Sequence, residues 1–413
     1  MRNDLITVLD VGTTKICCFV ARKNADSRSG ARVVGIGHHA ANGLRGGVIV
    51  DMDVAAESIA SAVHTAEKMA EETIRSVIVN ISGGQPLSQN FSVETDIAGH
   101  EISDGDLRRI FQHGMKNHQL KDREIIHSIP TTYSIDGSRS IRDPRGMFGE
   151  HLGVNIHLVS VTHVALRNLS NCLSRCHLEI QDVVLSAYAS GLSSLVEDEM
   201  DLGVTCIDMG GGTTSLSVFF DGNIVFTGSV PLGGHHVTSD IARGLSTTMA
   251  NAERIKALYG NAIPSDMDDR DCIDVPPIGE EVHALPNHVP KSLLIGIIRP
   301  RLEEILEMAR DLLERSGFDK VAGQWVVLTG GASQMQGIQD LTAMIFDKKV
   351  RTGKPIHING LAEATRGPAF STCAGLLIYA KRNTAAMPVS AHGWMERPDG
   401  FFNRLSLWLR ECF

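Results

Sequence analysis

Two segments about two hundred residues apart constrain this chain more than any other feature. The first reads Leu5-Ile-Thr-Val-Leu-Asp10-Val-Gly-Thr-Thr-Lys15, the second Val204-Thr-Cys-Ile-Asp208-Met-Gly-Gly-Gly-Thr-Thr214. Each is an apolar strand ending in aspartate, a Gly/Thr turn, and a second apolar strand, Ile16 to Ala21 in one copy and Ser215 to Phe220 in the other. One such unit is ordinary hairpin punctuation. Two predict an internally duplicated α/β fold whose phosphate-gripping hairpins face each other across a cleft.

The residue types suit that task. Gly12, Gly210, Gly211 and Gly212 remove side chains, so backbone N–H groups can turn toward an anion. Thr13, Thr14, Thr213 and Thr214 add hydroxyl donors, and Lys15 adds a compact positive charge. Asp10 and Asp208 would repel phosphate, so their expected role is to hold the waters of a Mg²⁺ ion. A third segment, Gln324 to Met335, reads as a buried strand running into a glycine turn. There Gly330 and Gly331, with Ala332 and Met335 beyond them, would let adenine and ribose lie against backbone. Gly233 and Gly234 precede a helix expected near Val237, and Glu253 and Lys256 lie one helical turn apart, able to reach one ligand. A surface ion pair is the plainer reading of those two.

With 413 residues the chain is long enough for two lobes. A net charge of −9 argues against nonspecific nucleic-acid binding. No stretch reaches the ~20 apolar residues of a membrane span, and the first strand leaves no room for a signal peptide, so a cytosolic chain is expected. Cys172, Cys176 and His177 form only part of a metal set, without the second pair a structural zinc needs. The Asp266, Asp268, Asp269, Asp271 run reads as a solvated loop.

Periodicity predicts helices over 55–72, 166–176, 252–259, 292–316 and 366–380, with Pro300 in the first turns of the fourth or marking a break. Alternation predicts exposed strands over 90–95 and 123–133, within a small α+β insertion that runs from about 85 to 162 and includes a helix starting at Ser103. Residues 261–290 read as loop.

Taken together, these blocks resemble the ATPase superfamily of actin, heat-shock chaperones and sugar kinases, and within it the bacterial cell-division family FtsA. The resemblance rests on 10–15, 208–214, 329–335, the stretch Ala252-Glu-Arg-Ile-Lys256, and the place of the insertion. It implies an actin-like duplicated ATPase fold of two domains around a nucleotide cleft, with ATP and Mg²⁺ as cofactors. Subdomain 1A would span 1–84, 163–203 and 362–382. The FtsA-type α+β inserted subdomain 1C would span 85–162, 2A would take 204–230 and 320–361, and 2B would take 231–319. Polymerisation with itself and binding of the C-terminal peptide of FtsZ, the tubulin-like division GTPase, are also implied. Downstream division proteins would meet the inserted subdomain. For the FtsZ contact, Arg301 is the expected partner of an acidic peptide's carboxylate. By that resemblance Ser186 stands where chaperones of the superfamily carry Glu, and sugar kinases carry Asp there or nearby. A serine cannot act as a general base near neutral pH, so at most weak ATPase activity is expected.

Residues 383–399 read as a flexible linker. Beyond it, Phe401, Phe402, Leu405, Trp408, Leu409 and Cys412 form one face of a C-terminal amphipathic helix, with Phe413 at its end. Burying four or five such side chains at ~1.5–3 kcal/mol each would hold the helix on a bilayer surface. The expectation is an ATP-binding adaptor that tethers FtsZ filaments to the inner face of the cytoplasmic membrane at the division site. A sugar kinase of the same superfamily and a pilus-assembly adaptor are the alternatives.

Overall fold

The computed structural model describes residues 5–23, 31–116, 120–279, 286–356 and 358–385. The expected membrane helix, and the expected linker from residue 386 on, lie outside them; residues 383–385, read as the start of that linker, instead end the last helix.

The first half begins with β1 (Leu5–Val11), β2 (Lys15–Lys23) and β3 (Ala31–Ala40), an antiparallel meander. Two short strands, β4 (Leu44–Arg45) and β5 (Val48–Ile49), lead to α1 (Met52–Ala70), and β6 (Ser76–Ile81) returns parallel to β1. The inserted unit follows: β7 (Leu87–Asp96), α2 (Asp104–Lys116), β8 (Arg123–Ile135), β9 (Ser138–Ile141) and β10 (His151–Thr162). The chain then re-enters the first half through α3 (His163–Arg175) and β11 (Glu179–Leu185), parallel to β6. Helices α4 (Ser186–Ser194) and α5 (Glu197–Leu202) carry it across to the second half.

There β12 (Val204–Met209), β13 (Thr214–Phe220) and β14 (Asn223–Val230) form a second meander. After it come α6 (Gly234–Gly244), α7 (Met249–Tyr259), a hairpin of β15 (Cys272–Val275) and β16 (Asn287–Pro290), and α8 (Lys291–Ser316). Strand β17 (Trp325–Thr329), α9 (Ile338–Phe346) and β18 (Lys349–Thr352) add two parallel strands, and α10 (Ser371–Ala385) returns to the seam between halves.

The duplication is now explicit. The sheets run β3-β2-β1-β6-β11 and β14-β13-β12-β17-β18, three antiparallel strands followed by two parallel ones in each. Central strands are buried on both faces, which is why β1 and β12 read as nearly unbroken apolar runs. Strand alternation sends Leu9 and Val11 to a core under α1 and α3, and Val8 to a shared core. That shared core joins Phe19 to Cys206, Phe219 and Leu376, so one apolar layer holds the halves together.

Several expected boundaries moved, for identifiable reasons. Helix α1 starts three residues before Ala55 because Asp51 caps it, its carboxylate accepting from Val54 N–H at 3.2 Å. Helix α6 starts at Gly234, not near Val237, and α7 starts at Met249 behind the Thr248 cap. Pro300 neither opens nor breaks α8. Residues 261–290 hold the β15–β16 hairpin, and Asp268 is buried, bonded to Ser265 N–H and 3.1 Å from Lys291, rather than solvated. The last helix starts at Ser371, later than expected, after a short 3₁₀ turn at Pro368–Phe370. In the insertion β8 is an inner strand between β10 and β9, with α2 packing Ile110 against Ile102, Leu152 and Ile156. No helix among the described residues is long and apolar enough to cross a membrane.

Candidate functional site

The two hairpins correspond residue by residue in register and turn hydrogen bonding. Gly12 N–H bonds Lys15 O at 3.0 Å, and Gly210 N–H bonds Thr213 O at 2.9 Å. Asp10 pairs with Cys17 in its ladder and Asp208 with Ser215, so Lys15 corresponds to Thr213 and Ile16 to Thr214. Thr214 therefore sits inside a strand. Its hydroxyl is buried without a protein partner and it does not line the cleft, unlike the donor expected from sequence. Thr13 and Thr14 correspond to Gly211 and Gly212, and the two pairs meet. A Cβ on Gly212 would lie 2.3 Å from Thr13 Oγ1, and one on Gly211 would lie 2.4 Å from Thr14 Cγ2. The hairpins face each other closely enough that one can carry threonines only because the other carries glycines.

Behind the turns lies a narrow cleft, about 120 Å³, that opens to solvent. Asp10 and Asp208 lie at its root. Burial pushes the Asp10 carboxyl up to about 6; Lys15 works against this, Asp208 reinforces it, and Asn80 opposes it. Asn80 Nδ2 donates to Asp10 Oδ1 at 2.7 Å and to Ser186 Oγ at 3.0 Å, while its Oδ1 accepts from Val11 N–H at 2.6 Å. Burial likewise raises Asp208, against hydroxyl bonds from Ser190 at 2.5 Å and Thr372 at 3.1 Å and the charge of Lys15. Lys15 Nζ donates to Ala369 O and lies 3.7 Å over the Phe370 ring.

Gly330 closes the wall with φ of +86°, a region open to glycine. A Cβ there would lie 2.3 Å from Asp208 Oδ1 and 2.6 Å from Met209 O. Gly330 and Gly331 line the cleft; Ala332 and Met335 do not. Gly233 and Gly234 lie behind the second hairpin, where Gly234 N–H bonds Gly210 O at 2.9 Å and a Cβ on Gly234 would touch that of Ala332 at 3.0 Å. Glu253 and Lys256 pair with each other at 2.7 Å, and Lys256 also bonds Thr238 Oγ1 at 2.7 Å. They brace α7 against α6 and are absent from the cleft lining. Arg301 on α8 is held by Asp240 at 2.5 Å and by Glu304.

This arrangement has known relatives. The model for "Cell division protein FtsA" matches residues 205–375, and that for the "SHS2 domain inserted in FTSA" matches residues 83–160. The Cell division protein FtsA of Rhizobium meliloti (strain 1021) is 43% identical over 422 aligned residues, covering 100% of this chain and 96% of the relative. The chain belongs to the FtsA family. The inserted β7–β10 unit is thus the family's SHS2 domain, and the protein is an actin-like member of the cell-division machinery. Two solved structures share the fold. One, titled "PilM-PilN type IV pilus biogenesis complex", is 15% identical with a TM-score of 0.66 and covers 92% of this chain and 99% of its own. The other, MreB5 of Spiroplasma citri bound to ADP, is 16% identical with a TM-score of 0.55 and covers 92% and 98%. At such identities they speak for the fold alone, so the pilus-adaptor alternative draws nothing from the first.

Sequence reasoning missed the residues that hold the FtsA-family carboxylates in place. Asn80 carried a signal: it is the one amide in the apolar run Val77-Ile-Val-Asn-Ile81. Ser190 and Thr372 carried none, because hydroxyls within helices are common and their meeting at Asp208 is purely tertiary.

Proposed function

We propose that the chain binds ATP with Mg²⁺ in this cleft, polymerises, and ties FtsZ filaments to the cytoplasmic membrane through its C-terminal segment. The facing hairpins, each with a buried carboxylate at its root, carry the nucleotide part of this reading. The residues present fit the ligand. Glycines leave room for close backbone approach, Thr13 and Lys15 supply donors, and two carboxylates raised by burial are left for a cation to relieve. Asp10 and Asp208 would hold the waters of Mg²⁺, which neutralises phosphate charge when bound. Ser186, already accepting from Asn80, offers no proton acceptor of suitable basicity. ATP thus serves mainly as a ligand that sets the cleft's shape.

A pH dependence follows. Protonation of Asp10 opposes cation binding, so affinity for ATP with Mg²⁺ is expected to fall several-fold as pH drops from 7.5 to 5.5, past the value of about 6. Affinities flat across that range, measured by calorimetry, would remove Asp10 from the site.

For the FtsZ peptide, Arg301 remains our candidate, in competition with Asp240 and Glu304 for the same guanidinium. The membrane part is tested by co-sedimenting the full chain, and a chain ending at Ala385, with vesicles rich in anionic phospholipid. The full chain should pellet and the shorter one should stay in solution. Equal behaviour of the two would defeat the tether.

A further inference from the structure

The inserted SHS2 domain is rooted in the first half but also grips the second. It leaves and rejoins the first half through adjacent strand ends, where Leu87 pairs with Ser160 and Thr162 N–H bonds Gly84 O at 2.9 Å. Gly84, at φ of +77°, lies at that joint.

Away from the joint the domain reaches β14, the edge strand of the second sheet. An open edge offers unpaired backbone groups. Here β7 covers it without forming a ladder. Asn90 Nδ2 donates to Val225 O at 2.9 Å, and Thr227 N–H donates to Ser88 Oγ at 3.2 Å. From the other side, Asn223 Nδ2 donates to Thr131 O of β8 at 2.9 Å. Past the end of β9, the Arg142 guanidinium holds Asp221 at 2.6 Å, in the β13–β14 turn, and Asp201 of α5 at 3.2 Å. Ile129 adds an apolar contact with the shared core, which includes Ile224.

The seam is conspicuously under-satisfied. His157 Nε2 on β10 and Thr227 Oγ1 on β14 are buried and make no hydrogen bond within the protein. A permanent core satisfies such groups. A joint held by a few side-chain bonds and an exposed ion pair costs little to part.

We infer that the inserted domain is a latch on the second half: its grip on β14 restrains the opening of the cleft. The two hairpins stand on opposite halves, so ligand release requires the halves to move apart, and this grip spans them outside the shared core. Displacing the inserted domain, by any contact made on it, therefore speeds exchange in the cleft. The coupling to exchange rests on the nucleotide reading above; the latch itself does not.

The test uses the full chain carrying Arg142→Ala, Asn90→Ala and Asn223→Ala together. In the ligand-free protein, hydrogen exchange over 223–230 should accelerate about tenfold, because several side-chain bonds are lost. Release of a fluorescent ATP analogue should accelerate by a similar factor, with far-UV circular dichroism unchanged. Arg142→Glu alone should act in the same direction, and adding Asp221→Arg should restore the slow rates, which nonspecific destabilisation would not do. Unchanged exchange over 223–230, or no rescue by the charge-reversed pair, overturns the latch. Faster exchange with unchanged release overturns its coupling to the cleft. If the wild type does not bind the analogue, the nucleotide reading fails and the hydrogen-exchange arm decides the latch alone.

Discussion

Asp10→Asn is expected to make the ligand-free protein more stable at pH 7.5 while abolishing its affinity for ATP with Mg²⁺. Both effects come from the same burial. The folded-state carboxyl sits at about 6, well above an ordinary carboxyl near 4. Between those values the unfolded chain gives up its proton while the folded chain keeps it, so stability falls as pH rises through about 4 to 6 and stays lower above. A difference of about two pH units corresponds to about 3 kcal/mol. Asparagine keeps an oxygen for Asn80 and never ionises, so it removes that loss. The variant's urea midpoint at pH 7.5 should exceed the wild type's, and the two should converge near pH 4. A variant less stable at pH 7.5 would mean that Asp10 is not strained by burial.

Two helix glycines are expected to respond to alanine with opposite signs. In an unobstructed helix Gly→Ala stabilises by about 0.5–1 kcal/mol. Gly296 on α8 meets that condition, since an added Cβ finds nothing within 4 Å. Gly375 on α10 does not: its added Cβ would lie 1.7 Å from Ala189 O and 2.3 Å from its carbonyl carbon. Those are backbone atoms of α4, so no rotamer change relieves the clash and the helices must separate. They are the elements that fill the seam between halves and supply Ser190 and Thr372 to Asp208. Gly375→Ala should therefore cost about 3 kcal/mol or more and weaken ATP binding along with stability, whereas Gly296→Ala should raise stability and leave binding alone. Thermal melts with and without ATP measure both. A Gly375→Ala protein as stable as wild type would contradict the close crossing.

What could be read from sequence divides along physical lines. The hairpins were legible because strand, aspartate and glycine turn are local, and their recurrence signalled duplication. The identical strand order of the two sheets is the folded form of that recurrence. What failed was of two kinds. Cap-driven boundaries, such as Asp51 before α1, extend helices beyond their apolar period. Roles set by strand register were also invisible: Thr213 and Thr214 looked equivalent, but the β12–β13 ladder turns Thr214 into the sheet. Glu253 and Lys256 looked available for a ligand, yet they pair with each other and with α6. Local sequence shows a charge, while tertiary packing decides what it faces.

If two hairpins from opposite halves close on one nucleotide, hydrogen exchange of the full chain with and without ATP and Mg²⁺ shows it. ATP is expected to slow exchange at residues 10–15 and 208–214 together, at the same ligand concentration, and omitting Mg²⁺ to weaken both effects. Protection at one hairpin alone, or at neither, would contradict it.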